Sequence, residues 1–291
     1  MEQESINLTE TIFNSLNELF SQLFSSIDNS IYKLLDELIF IEPSILSENN
    51  FQKLFGTSSS NGILLICNSL VLGFIIYYSI NYLISHLTYS KIDSPKQFIF
   101  KSIIFIAIMN SSFWVCEQII NIIHLITESI SNLGSSLFNI NITFSNFIDN
   151  INKSLYISNT QFNIFSFDGI VKSFTTFGLI NLIFTYSLRY IMIQIFILIS
   201  PFAFLSLITN SSEWFFKTWF KTFISLLLIQ ILILLILLLS FTINTSQNTT
   251  ITQLLYVGII YALTRANTYM KELFGGISIS INTNLSNFIS N

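Results

Sequence analysis

The chain has 291 residues, 52% of them hydrophobic and only 10% charged, where a soluble domain carries about 25% charged residues. A formal net charge of -4 gives no support to a nucleic-acid-binding surface, which needs clustered Lys and Arg. The composition is that of an all-α polytopic membrane protein, because apolar runs near the ~20 residues that cross a hydrocarbon core recur along the chain.

The first 60 residues are amphipathic. The start, "MEQESINLTE", lacks the basic region and short apolar core of a cleavable signal and is expected to remain in the mature protein. Ile12, Leu16, Leu19, Leu23, Ile27, Ile31, Leu34 and Leu38 recur at three- and four-residue steps, the spacing of a helix with one apolar face. Its polar face has few lysines, so it is expected to pack against another subunit or lie along the outer membrane surface.

Five apolar stretches follow. The first spans about 62–85 and the second about 97–119; the third lies within 176–208, the fourth covers 222–243, and the fifth is about 251–271. Cys67 and Cys116 fall inside the first two and read as small buried hydrophobes rather than a disulfide.

Positive charge sets the orientation, since Lys and Arg accumulate in cytoplasmic connections. Lys91, Lys96 and Lys101 follow the first stretch, and Lys217 and Lys221 precede the fourth. Nine carboxylates lie before the first stretch, and "NTSQNTT" after the fourth is uncharged. The expected arrangement is an extracytoplasmic N-terminal segment (1–60), helices one and two (61–119), an extracytoplasmic loop (120–175), helices three to five (176–275) and a cytoplasmic tail (276–291). Trp214 and Trp219, interleaved with Lys217 and Lys221, fit interface anchors. Gly275 and Gly276 fit the end of the fifth helix.

Within the third stretch stand a charge and a breaker. Arg189 is central if the span is 177–200, and at the outer end, free to snorkel, if it is 189–208. A charge at mid-span costs about 2.5–3.5 kcal/mol on the insertion scale, so Arg189 is expected to face a bundle interior or an aqueous path. Pro201 should bend or end that helix. Arg265 in the fifth stretch and Glu117 near the outer end of the second are weaker candidates, each able to reach an interface. Gln230, alone in "SLLLIQILILLILLLS", should seek another helix, as packing glue or as a substrate contact.

Catalytic chemistry is thin. His86 and His124 fall on opposite sides of the second span and cannot share a metal, and there is no G-x-x-x-x-G-K-[ST] phosphate loop. The chain is expected not to be an enzyme and to use no cofactor or metal.

Residues 188–234, "LRYIMIQIFILISPFAFLSLITNSSEWFFKTWFKTFISLLLIQILIL", resemble the TrbL-like polytopic subunit of conjugative type IV secretion systems, in its Gram-positive, clostridial-type branch. The shared pattern is an Arg in an apolar helix, a Pro break, a small polar turn, then Trp and Lys leading into a long apolar helix with Gln. Segments 98–122 and 265–278 are also similar to that family. The resemblance implies an outside N-terminus, about five crossings and a large loop between the second and third. It further implies a homo-oligomeric channel or scaffold subunit that helps pass relaxase-bound single-stranded DNA across the cell membrane, powered by separate cytoplasmic ATPases. The alternatives are a secondary transporter for a small anionic solute, with Arg189 binding substrate beside Pro201, and a membrane scaffold with no conduit. No internal repeat favours the transporter.

Overall fold

The computed structural model describes residues 11–12, 14–15, 17–19, 34–57, 61–89, 94–154, 166–243 and 250–274. Among these the chain is all-helical, with no strand. Residues 34–39 are helical, and Pro43–Leu46 form a 3-10 turn. Then come α1 (Asn49–Phe55), α2 (Ile63–Thr88), α3 (Pro95–Asn110), α4 (Ser112–Phe138), α5 (Phe144–Ser154), α6 (Phe167–Leu205), α7 (Glu213–Ser240) and α8 (Thr250–Phe274).

Three helices are long and apolar enough to cross a membrane: α2, α6 with the 3-10 turn after it, and α7. The count rises to four if α3 and α4 are one bent span. These helices are those of a membrane protein. The fifth expected stretch, α8, is not among them, because after Leu263 its sequence turns polar with Thr264, Arg265, Asn267, Thr268, Lys271 and Glu272. Gly275 and Gly276, and Leu16, Leu23, Ile27 and Ile31 of the N-terminal amphipathic stripe, lie outside the described residues.

The second stretch is bent: α3 and α4 meet at Ser111 at 61° and pass together as one broken span. The cause is local: Ser111 Oγ donates to the Ala107 carbonyl at 3.0 Å, and Asn110 Nδ2 donates to that of Ile106 at 2.9 Å. Such back-bonding bends helices, here added to the main-chain bond that the Ala107 carbonyl keeps from the Ser111 N–H at 3.1 Å. Asn110 also pairs with Asn68 of α2 at 3.1 and 3.2 Å, which fixes the elbow against the first span.

Nor is the described part of 120–175 an irregular loop. α4 runs on to Phe138 with Cys116, Ile120, Ile123, Thr127 and Gly134 buried at helical spacing, and packs on α6 and α7. The N-terminal segment is likewise inside the bundle rather than only on its surface: Leu35, Ile39, Ile41, Ile45 and Leu46 are buried. By contrast α2 stands off, with only Cys67 and Ser85 buried.

α6 is 39 residues long, or about 58 Å at 1.5 Å per residue, roughly twice the ~30 Å hydrocarbon core. Pro201, expected to bend or end it, lies inside the helix, which ends four residues later at Leu205. One residue before the carbonyl that Pro201 leaves without a donor, the Phe196 carbonyl accepts the Trp219 indole N–H at 2.8 Å. The turn from α6 into α7 is tied to α3 by Lys101 Nζ donating to Asn210 Oδ1 at 2.6 Å. α6 and α8 advance in the same direction, Gly178 lying against Ile260 and the Tyr186 hydroxyl donating to the Leu263 carbonyl at 2.7 Å.

Candidate functional site: a buried polar knot

Residues 39–41 are the place where the helices converge. The helix over 34–39 stops because Pro43 follows: the Ile39 carbonyl would take its helical hydrogen bond from residue 43, and proline has no N–H to give. A buried carbonyl without a donor costs about 1–3 kcal/mol. Arg189 Nη1 fills the gap at 3.0 Å, and Arg189 Nε donates to the Leu226 carbonyl of α7 at 2.8 Å.

Two residues on, Ile41 stands outside any helix, and its N–H takes a side-chain acceptor. Gln230 Oε1 of α7 accepts it at 3.2 Å, while Gln230 Nε2 donates to Thr127 Oγ1 of α4 at 3.1 Å. One turn before Arg189, Tyr186 holds α8 through Leu263. Arg189 of α6 and Gln230 of α7 thus hold residues 39–41 directly, Gln230 brings in α4 through Thr127, and α8 is tied to α6 through Tyr186.

Arg189 is 0% exposed, and both of its bonds go to main-chain carbonyls rather than to a carboxylate. Its Nη2 is buried without a hydrogen-bond partner. A guanidinium suits this position, since its rigid fork serves acceptors on two elements and it is more weakly hydrated than an ammonium. The arrangement can fix helices; it has no nucleophile, general base or reachable substrate surface.

Above the knot, Asp36 Oδ1 accepts the N–H of Phe144 at 3.0 Å, capping the start of α5 from a distant part of the chain. Burial raises the Asp36 carboxyl to about 6, against the lowering effect of that bond. Beside it, an open cavity of about 910 Å³ lies between the N-terminal segment and α6, lined by Asp36, Glu37, Glu42, Ser187 and Tyr190 among others.

The remaining sequence candidates do not join the knot. Glu117 is half-buried on α4, ten residues and about 15 Å along the helix from Thr127. Arg265 is exposed on α8, its guanidinium 5.5 Å from the Tyr261 ring centre. Trp214 is 65% exposed at the start of α7, beside exposed Lys217 and Lys221. Lys217 pairs with Glu213 at 3.0 Å in the open, a contact of little stabilising weight. Trp219 corrects the expectation of a second anchor. It is 3% exposed and packed among Phe204, Phe216 and Phe223, because its helical phase turns it toward α6.

Sequence reasoning found Arg189 and Gln230 but not their partners. Thr127 fell in a supposed loop, and Ile39 and Ile41 contribute only backbone. The one available signal was Pro43, four residues after Ile39. Among the described residues no group of three or more His, Cys, Asp or Glu could hold a metal ion. Comparison with protein-family models, with curated proteins and with solved structures finds no match for this chain.

Proposed function

We propose that this chain is a membrane-embedded scaffold or channel subunit of a conjugative type IV secretion system, assembling as a homo-oligomer that helps relaxase-bound single-stranded DNA across the cell membrane. The resemblance of residues 188–234 to the TrbL-like subunit motivates the reading. The observation that carries it is the knot: Arg189 and Gln230 spend their donors and acceptor on fastening residues 39–41 to α4 and α7. That is how a subunit holds an N-terminal segment rigidly for other assembly proteins. The same bonds speak against an anion transporter centred on Arg189, whose guanidinium is closed off from both faces.

In this reading the N-terminal segment is extracytoplasmic, the chain crosses five times if α8 is a short span, and the C-terminus is cytoplasmic. The first turns of α7, with exposed Lys217 and Lys221, face the ATPases. The chain itself performs no catalysis. The polar inventory suits a conduit wall that releases what it admits.

The test is capture of transferring DNA. During mating, formaldehyde crosslinking followed by precipitation of the epitope-tagged subunit is expected to recover the transferred strand, and Arg189→Gln is expected to lower transfer at normal protein level. No recovered strand together with wild-type transfer in Arg189→Gln would overturn the proposal. A genomic neighbourhood without a relaxase and secretion ATPases would do the same.

A further inference from the structure

The cleft beside the knot has apolar walls and an acidic rim. It encloses about 910 Å³ between residues 34–45 and α6, near the upper end of the ~300–1,000 Å³ that ligand sites occupy. Leu38, Phe40, Ile41 and Ile45 line one side, and Ile183 and Tyr190 of α6 the other. Asp36, Glu37 and Glu42 join the lining, and both glutamates are exposed. Exposed Glu48 is near enough to Tyr190 to act on it through its charge. Among the described residues of the lining there is no Lys, Arg or His.

The knot holds this cleft in one shape. Phe40 lies between the Ile39 carbonyl, bound by Arg189, and the Ile41 N–H, bound by Gln230, while Asp36 accepts the Phe144 N–H. A wall fastened at three points needs no ordering when something binds, which removes one of the usual costs of association.

The charges select the occupant. Three carboxylates with no cation among them repel an anion, a nucleic-acid strand included. A single metal ion does not fit either, because among the described residues no three such side chains are placed to share one. Glu37 and Glu42 instead flank Leu38, Phe40 and Ile41 along the chain, so acidic positions bracket an apolar surface. The complement is a peptide segment with apolar side chains set between lysines or arginines, the first filling the cleft and the second meeting the rim.

We propose that the cleft between residues 34–45 and α6 docks a basic amphipathic segment of a partner protein, its apolar side chains against Phe40 and Ile183 and its cations on Glu37 and Glu42. This deepens the scaffold reading by naming the chemistry of the partner, and rests on it only for the partner's place in the assembly.

The experiment uses the purified full chain in neutral detergent and a short fluorescent peptide alternating lysine with phenylalanine, followed by anisotropy. No transferring DNA is involved, so its failure is distinct from failure of the secretion reading. The peptide is expected to bind, and versions with glutamate for lysine or serine for phenylalanine are expected to bind about tenfold more weakly or worse. Glu37→Gln combined with Glu42→Gln is expected to weaken binding by about tenfold, within what two rim charges supply. Glu128→Gln with Glu272→Gln, which removes as much charge from exposed positions elsewhere, should leave it unchanged. No binding to the wild-type chain, equal weakening by the two pairs, or equal binding of the serine version overturns the proposal. So does displacement of the peptide by equimolar magnesium or spermine, since a small cation would then be the occupant. If the Glu37→Gln and Glu42→Gln chain does not fold, a photoactivatable form of the peptide on the wild-type chain decides the matter. Crosslinks are expected within 34–46 and 183–190; crosslinks confined elsewhere, or joining 34–46 to a second subunit in preference to the peptide, refute the site.

Discussion

Gln230→Leu separates two accounts of the knot. If Gln230 is ordinary helix glue, its loss should cost about 0.6 kcal/mol, the average for side-chain hydrogen bonds between membrane helices. The structure assigns it a heavier task. Its Oε1 is the acceptor for the buried Ile41 N–H, and leucine, close in volume and apolar, cannot replace it. An orphaned buried donor costs about 1–3 kcal/mol. Thr127 loses less, because its hydroxyl still donates to the Ile123 carbonyl at 2.9 Å. Amide hydrogen exchange reads the difference at the affected group, since protection reports local opening free energy. The Ile41 amide is expected to exchange about 5–150 times faster, the factor equivalent to 1–3 kcal/mol, with protection inside α7 unchanged. Gln230→Glu should retain most of the protection, as a carboxylate oxygen can still accept. Unchanged exchange at Ile41 in Gln230→Leu would refute the reasoning, as would a loss spread evenly over the bundle.

Three further outcomes follow from the geometry. Gly178→Ala should destabilise by about 1–3 kcal/mol through overpacking, and combining it with Ile260→Ala should cost less than the two single effects summed, as measured by denaturant titration in detergent. Asp36 carries a raised pKa of about 6 against an ordinary 3.8, so its contribution is fully present below about 3.8 and is lost as pH rises through about 6. Protection of residues 34–46 should therefore increase from pH 7 to pH 4, and Asp36→Asn should flatten that dependence while keeping the Phe144 bond. Trp219→Phe removes a buried bond to Phe196 worth about 0.5–1.5 kcal/mol, whereas Trp214→Phe at the exposed end of α7 should stay within about 0.5 kcal/mol; equal effects on the unfolding midpoint would contradict the different placements.

Much of the helical architecture was legible because lipid enforces it: α2, α6 and α7 announce themselves by apolar length alone. The depth of Arg189 could also be argued, since a charge inside such a run is costly enough to need shelter. What stayed hidden was carried by backbone or by weak patterns. The elbow at Ser111 depends on side chains of Asn110 and Ser111 bonding back to carbonyls, and composition does not reveal which side chains do so. α4 beyond Ile119 looked like a loop because Thr127, Ser129 and Ser131 dilute its hydropathy, although Ile120, Ile123 and Thr127 keep helical spacing. Trp219 and Trp214 have the same residue type and setting in the sequence; only helical phase relative to α6 separates a core residue from a surface one. Residues 39–41 were invisible as a site because their role is played by a carbonyl and an amide common to every residue.

The bonds at Ile39 and Ile41 join positions 150 and 189 residues apart in the chain, and this imposes a schedule on biogenesis. At about 5–20 residues per second, the ribosome needs roughly 10–40 s after making Ile41 before Gln230 exists. Until Arg189 is made, 150 residues on, the early segment carries the carbonyl that Pro43 has left bare, and the Ile41 N–H waits longer still, for Gln230. Closure of the molecule therefore waits on its second half, and a nascent chain halted before α7 would hold Ile39 through Arg189 but lack the bonds to Leu226 and Gln230.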